Sequence, residues 1–209
     1  GKHFPGHGDT VVDSHQELPR VTHPLDRLMQ VELKPFQHAI ENRLQAIMTA
    51  HVIYTSLDPR FPATLSKKIV TKLLREAMGF HGLVITDDLQ MKAVADHYPL
   101  TEAAIKAITA GADLLLICRH PELLEMILEA LHKAVKRGAI SEKQINHSLA
   151  RILSLKEKML LPYHPASLKG IKATIGHPDH QKIAHEIQTR AMRMPHSKTQ
   201  TPTLPQKKG

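Results

Sequence analysis

Short apolar runs alternating with amphipathic stretches set the strongest limit on how this chain folds. Four runs read as buried strands: one ending at Lys2-His3-Phe4, then Ala46 to Val52, Leu83 to Thr86, and Leu114 to Cys118. Helix-like stretches lie between them. Leu25, Leu28, Val31 and Leu33 surround the first, which Pro35 interrupts before Phe36, Ile40 and Leu44. Ser66 caps a helix carrying Ile69, Val70, Leu73, Leu74 and Ala77, and Gly79 ends it at the C′ position. Thr101 starts another, closed by Gly111. Pro121 opens one whose Leu123, Leu124, Ile127, Leu128, Leu131 and Val135 recur at helical spacing before Gly138. Ser141 and Gln144 form a capping-box pattern ahead of Ile145, Leu149 and Ile152.

Buried strands alternating with such helices predict an α/β fold built from parallel βαβ units. A doubly wound sheet and a (β/α)8 barrel both satisfy that pattern. The chain has no Gly-rich dinucleotide fingerprint. Polar residues instead follow each strand: His3 and His7, His51, Asp87 and Asp88, then Arg119 and His120. Chemistry at the C-terminal ends of strands favours the barrel. A full barrel takes about 250 residues, whereas four strands precede residue 160, so the expectation is an incomplete barrel. Gly1, not Met, opens directly onto a dense motif, as in a fragment or trimmed chain.

The texture changes after Leu161. Residues 1–161 read as the barrel portion. Residues 162–209 read as a basic linker punctuated by Pro162, Pro165, Pro178, Pro195, Pro202 and Pro205, with one short helix over roughly Asp179 to Met192. That linker holds eight Lys/Arg against Asp179 and Glu186, and so carries most of the +8 net charge. A basic tail without interleaved aromatics is a solvated segment, so no nucleic-acid partner is expected. Cys118 is the single cysteine, which excludes a disulfide framework. No run approaches the roughly 18 apolar residues of a membrane span.

Two constellations could carry chemistry. The first is Gly1-Lys2-His3-Phe4-Pro5-Gly6-His7-Gly8-Asp9-Thr10 with Asp13-Ser14-His15. Asp13 and His15 share a face of an extended segment, where a carboxylate can fix an imidazole's tautomer and raise its basicity for acid/base work. A polar loop with backbone-capping histidines is the plainer alternative. A metal set of His3, His7, His15 and His23 lacks any tight ligand pair such as His-Glu-x-x-His. The second constellation is the strand Gly82 to Thr86 running into Asp87 and Asp88. There Asp87 is either a helix cap or a catalytic carboxylate, and Asp88 a cap or an anchor for the loop.

Taken together, Lys2 to Thr10, Asp13-Ser14-His15, Leu18-Pro19, Glu32 to Phe36, Met48 to Val52, Pro62 to Ser66 and Gly82 to Met91 occur in one order. Over roughly residues 1 to 160 this series resembles the NagZ-type β-N-acetylglucosaminidases (β-N-acetylhexosaminidases) of glycoside hydrolase family 3. The resemblance implies that the visible strands are the fifth to eighth of a (β/α)8 TIM barrel, its C-terminal half. It implies a retaining hydrolase in which Asp87 is the nucleophile, His15 the general acid/base and Asp13 its dyad partner. Lys2 and His3 would bind sugar hydroxyls, Met91 would lie near the sugar, and His7 would shape the loop.

The Asp-Ser-His loop points to an N-acetylated sugar, so the implied partner is a β-GlcNAc-containing saccharide or muropeptide from peptidoglycan. No metal and no cofactor is implied. A phosphorylase on the same scaffold, a non-catalytic remnant and a metal-dependent barrel hydrolase stay open as alternatives. The source is expected to be bacterial, in the cytoplasm or exported to the cell surface, and the oligomeric state is left undetermined. With half the barrel absent, the 209-residue chain alone is expected to turn over weakly or not at all.

Overall fold

Strands pair only in parallel in the computed structural model of the chain, which describes residues 1–10, 12–14, 16–160, 162, 165 and 167–192. Among these residues are β1 (Arg20–Val21), β2 (Ala46–Thr49), β3 (Ile53–Tyr54), β4 (Leu83–Asp88) and β5 (Leu114–Leu116). One sheet has the order β2-β4-β5, with Ala46 opposite Leu83 and Thr49 opposite Thr86. Residues 1–4 add a fourth parallel segment on the outer side of β2. Phe4 donates its N–H to Met48 O at 2.8 Å, and its own carbonyl accepts from Ala50 N–H at 2.8 Å. The chain divides into two compact units, residues 1–161 and 162–209. The first is an α/β fold with parallel sheets, as the alternating runs predict.

Two expected strands differ in detail. The run Ala46 to Val52 splits, because the Pro62-led 3-10 turn Ala63–Leu65 takes its backbone: Thr64 N–H bonds Ala50 O and Ala63 N–H bonds Val52 O. Ile53 and Tyr54 then pair with Arg20 and Val21 in a second, two-stranded sheet that the periodicity does not reveal. β5 stops at Leu116 because the Asp88 carboxylate captures the Cys118 N–H at 3.2 Å.

Helices cross between the strands: α1 (Leu25–Gln30), α2 (Lys34–Glu41), a π-helix (Lys68–Ala77), α3 (Lys92–Ala95), α4 (Leu100–Ala110), α5 (Leu124–Lys136) and α6 (Glu142–Leu160). Pro35 sits in the first turn of α2, where a missing N–H costs nothing. Ser66 accepts from Ile69 N–H at 3.3 Å, as a cap does, but the helix that follows is wide rather than α-helical. Its buried face is Ile69, Val70 and Leu74. In α4 the buried positions are Ala103, Ala104, Ala107, Ile108 and Ala110, and such small side chains let it lie close to the π-helix. Thr71 Oγ1 donates to Ala110 O at 2.7 Å across that contact. Gly111 closes α4 at φ 118°, and a Cβ there would stand 2.9 Å from Thr71 Oγ1.

Ser141 accepts the Gln144 N–H at 3.2 Å, which is half a capping box. The other half is missing: the Gln144 side-chain amide reaches the Ile108 carbonyl at the end of α4 instead. The main core gathers Phe4, Phe36, Ile47, Tyr54, Ile69, Leu74, Phe80 and Val84, with Phe4 and Phe36 edge to face at 5.2 Å. Below the sheet, the carboxylate of Asp113, fully buried one residue before β5, binds four donors. They are Val84 N–H (2.9 Å), Ser148 Oγ (2.7 Å), Arg75 (2.6 Å) and Arg151 (3.0 Å).

The second unit holds two helices, α7 (Leu168–Thr174) and α8 (Pro178–Met192), where one is expected. Ser167 caps α7 by accepting from Gly170 N–H at 3.0 Å, a signal present in the sequence but masked by the surrounding prolines. No helix among the described residues is long and apolar enough to cross a membrane.

Candidate active site

The site is built where β4 and the N-terminal segment end side by side. Asp87 lies at the last turn of β4 before the chain leaves the sheet. Its Oδ1 accepts the next residue's own N–H, from Asp88, at 2.8 Å. Its Oδ2 faces the other way, 3.6 Å from Nε2 of His3. One carboxylate oxygen is therefore fixed by backbone and the other faces the His3 imidazole.

The loop after Phe4 supplies the opposite wall. Tyr54, buried, donates its hydroxyl to the Gly6 carbonyl. Gly6 sits at φ 138°, and a Cβ there would press to 2.9 Å from the Cβ of Glu32, whose carboxylate Arg27 grips at 2.7 and 3.0 Å. His7 then bridges the loop, with Nδ1 3.1 Å from Thr10 Oγ1 and Nε2 2.9 Å from Ser14 Oγ. Ser14 is buried, and its carbonyl accepts from Ala93 N–H at the start of α3. These bonds seat Asp13 on the rim, with its carbonyl receiving the Gln16 and Glu17 amides.

The result is a cleft of about 410 Å³ lined by Lys2, His3, His7, Gly8, Asp13, Ser14 and Asp87. Four of the expected site residues, Lys2, His3, Asp13 and Asp87, therefore share one cavity. His15 lies outside the described residues. Met91 is 2% exposed and does not line the cleft; its N–H bonds the Asp88 carbonyl at 3.0 Å. A second cleft of equal volume lies between the π-helix and α4, around Arg60, Phe61, Lys68 and Lys106. It offers cations beside one ring but no carboxylate–imidazole arrangement, and its Asp58 is already bonded to Ser66 at 2.7 Å.

Among the described residues, His3, His7 and His23 do not assemble as a metal set. His3 and His7 lie 6.0 Å apart between ring centres, and His23 turns away to Asp9. Among the described residues, one group of metal-type ligands comes together: Asp9, His23 and Glu32. The Arg27 guanidinium already neutralises Glu32 there, and the His23 hydrogen bond holds the Asp9 carboxyl below its usual range.

Behind Asp87 stand His51, which pattern reading leaves without a role, and Asp88, expected to cap or anchor the loop. His51 is buried, with Nδ1 2.8 Å from Thr64 Oγ1 and Nε2 3.0 Å from the Asp88 carbonyl. Asp88 Oδ1 accepts from Gln90 and Cys118 amides, while Gln90 Oε1 accepts from Arg119 and His120 amides. The one signal for this layer is a polar residue inside an otherwise apolar run, which is what Thr49 and His51 are.

Residues 1–155 match the glycosyl hydrolase family 3 N terminal domain. The chain belongs to glycoside hydrolase family 3. Within the family, it is 37% identical over 204 residues to β-hexosaminidase A of Pseudoalteromonas piscicida, covering 89% of this chain and 34% of that protein. It is 45% identical over 131 residues to a β-hexosaminidase of Alkalilimnicola ehrlichii, covering 63% of this chain and 37% of that one. Among solved structures, a family 3 β-N-acetylglucosaminidase from Paenibacillus sp. str. FPU-7 superposes with a TM-score of 0.82 at 41% identity. That match covers 89% of this chain and 36% of the other. The family 3 chain described here thus spans little more than a third of these relatives' lengths.

Proposed function

We propose that this chain carries the nucleophile and the acid/base loop of a retaining β-N-acetylhexosaminidase that removes terminal β-linked GlcNAc from peptidoglycan-type saccharides. The observation that carries the reading is the shared cleft, lined by Asp87, Asp13, Lys2 and His3 together. The relatives named β-hexosaminidase and β-N-acetylglucosaminidase support the substrate class. The four parallel segments are read as part of a (β/α)8 barrel whose catalytic end is this cleft. Sugar contacts from elsewhere in the full-length protein complete the site, so the 209-residue chain alone is expected to turn over weakly or not at all.

In the proposed mechanism Asp87 Oδ2 attacks the anomeric carbon as the glycosidic C–O bond breaks. The leaving oxygen takes its proton from His15, two residues beyond Asp13 in sequence. Water then attacks the glycosyl-aspartate ester, gives its proton back to His15, and releases the sugar with Asp87 restored. A histidine donor differs from the usual second carboxylate in charge: its neutral form does not repel the anionic nucleophile. Asp13 supports the protonated imidazole that forms during the second step. Lys2 and His3 lie where the hydroxyls of a sugar seated on Asp87 would meet donors.

The test uses the full-length protein with aryl β-N-acetylglucosaminide and aryl β-glucoside as paired substrates. Strong preference for the N-acetylated substrate is expected. Asp87→Ala should lower kcat by about 10³-fold or more, and His15→Ala should cripple hydrolysis too. Adding inorganic phosphate should leave the product as free sugar. Equal rates on both substrates, or a His15→Ala protein of normal activity, would overturn the mechanism.

A further inference from the structure

Behind Asp87, three side chains form a directed hydrogen-bond chain that the proposed chemistry does not use. Thr49 Oγ1 lies 2.9 Å from Thr64 Oγ1, which lies 2.8 Å from His51 Nδ1, and His51 Nε2 lies 3.0 Å from the Asp88 carbonyl. All three residues are buried, at 0%, 0% and 1% exposure. A carbonyl can only accept, so Nε2 must carry a proton. Burial keeps the ring neutral, so Nδ1 is the acceptor and Thr64 supplies its hydroxyl hydrogen. The Ala50 carbonyl at 3.0 Å also faces that hydroxyl, but bonding it would leave the buried Nδ1 lone pair unmatched. Thr49 then donates into Thr64. The Ile85 carbonyl lies farther from Thr49 Oγ1, at 3.5 Å.

The far end of this chain is Asp88, whose N–H is the group fixing Asp87 Oδ1 at 2.8 Å. Its carbonyl is held by His51 and by Met91 N–H, and its carboxylate by the Gln90 and Cys118 amides. Pinning the carbonyl and side chain pins the Cα that carries the N–H. The bonds from Met91 and Gln90 are local turn bonds, and Cys118 belongs to the next strand's exit. His51 ties Asp88 back to the β2 side of the sheet.

We infer that His51 is a positioning residue for Asp87: its Nε2–H, aimed by Thr64 and Thr49, holds Asp88 so that the Asp88 amide keeps one nucleophile oxygen fixed and the other turned into the cleft. The inference rests on the reading of Asp87 as nucleophile. A reacting group moved by about 1 Å loses on the order of 100-fold in rate, and losing one of two bonds to the Asp88 carbonyl moves it less than that.

The experiment compares His51→Leu, His51→Gln and Thr64→Val with Asp87→Ala, all in the full-length protein and assayed on aryl β-N-acetylglucosaminide. His51→Leu removes the donor. His51→Gln places an amide N–H near the Nε2 position. Thr64→Val keeps shape but releases the imidazole's tautomer. The expected result is a kcat lowered about tenfold for His51→Leu with KM changed less than about twofold, and recovery of most of that loss in His51→Gln. A purely structural role would instead lower the melting temperature while leaving kcat per folded molecule unchanged.

Wild-type kcat in His51→Leu, or a His51→Gln protein as slow as His51→Leu, overturns the inference. Should His51→Leu fail to fold, Thr64→Val decides: a severalfold lower kcat at constant KM supports it, and an unchanged kcat overturns it. Activity retained in Asp87→Ala would instead sink the nucleophile assignment itself.

Discussion

Burial holds the imidazole of His51 below its ordinary pKa, while Asp87 and Asp88 pull it upward and His3 opposes them. The sign for stability follows from comparing the two states. The unfolded chain takes up a proton at the ordinary imidazole value, about 6.5, and the folded chain at a lower one, so stability is fully present above the ordinary value and declines as the pH falls below it. Urea midpoints measured across that range should therefore decline for wild type, and less steeply for His51→Gln. At this scale the sequence was informative where polar residues directly follow an apolar strand: Lys2, His3 and Asp87 stand out for that reason. The role of His51 was not legible. It depends on a carbonyl 37 positions away, and spacing along one strand says nothing about what faces its end.

The connecting segments show how tertiary contacts amend local pattern. Gln144 has the spacing of a reciprocal capping residue, yet its amide reaches the Ile108 carbonyl near the end of α4, which also accepts from Gly111 N–H. The run Ala46 to Val52 has the composition of one strand, yet the carbonyls of Ala50 and Val52 bond a 3-10 turn. Such competition is settled by neighbours brought in from elsewhere in the chain. Gly79, Gly111 and Gly138, by contrast, were readable as stops because each adopts a positive φ that other residues resist. Gly111 combines that backbone with the close approach of Thr71. Gly111→Ala is accordingly expected to cost about 1–3 kcal/mol, seen as a lower thermal midpoint. Gly138, with open space around its Cβ position, should lose less on the same change.

For the first unit as a whole, α/β architecture was accessible from the alternation of runs, and the gathering of Lys2, His3, Asp13 and Asp87 from the family resemblance of the motifs that carry them. The two-stranded sheet of β1 and β3 was not, since two residues carry no period. Nor was the clamp on Asp113, whose partners come from the π-helix, β4 and α6. Asp113→Ala would strand the buried Arg75 guanidinium without its counter-charge, and breaking such a pair costs about 3–5 kcal/mol. Chemical denaturation should show that loss while KM for the aryl N-acetylglucosaminide stays close to wild type.

β4 is only six residues long, with the Asp113 clamp gripping Val84 near its start and Asp87 standing near its finish. Structural security and chemistry are thus assigned to opposite ends of one short strand. In the proposed hydrolase, the loops around the cleft can accumulate changes that retune which saccharide fits, since the lock that keeps the sheet together lies beyond their reach. A fold arranged this way is free to explore new specificities without first risking its own persistence.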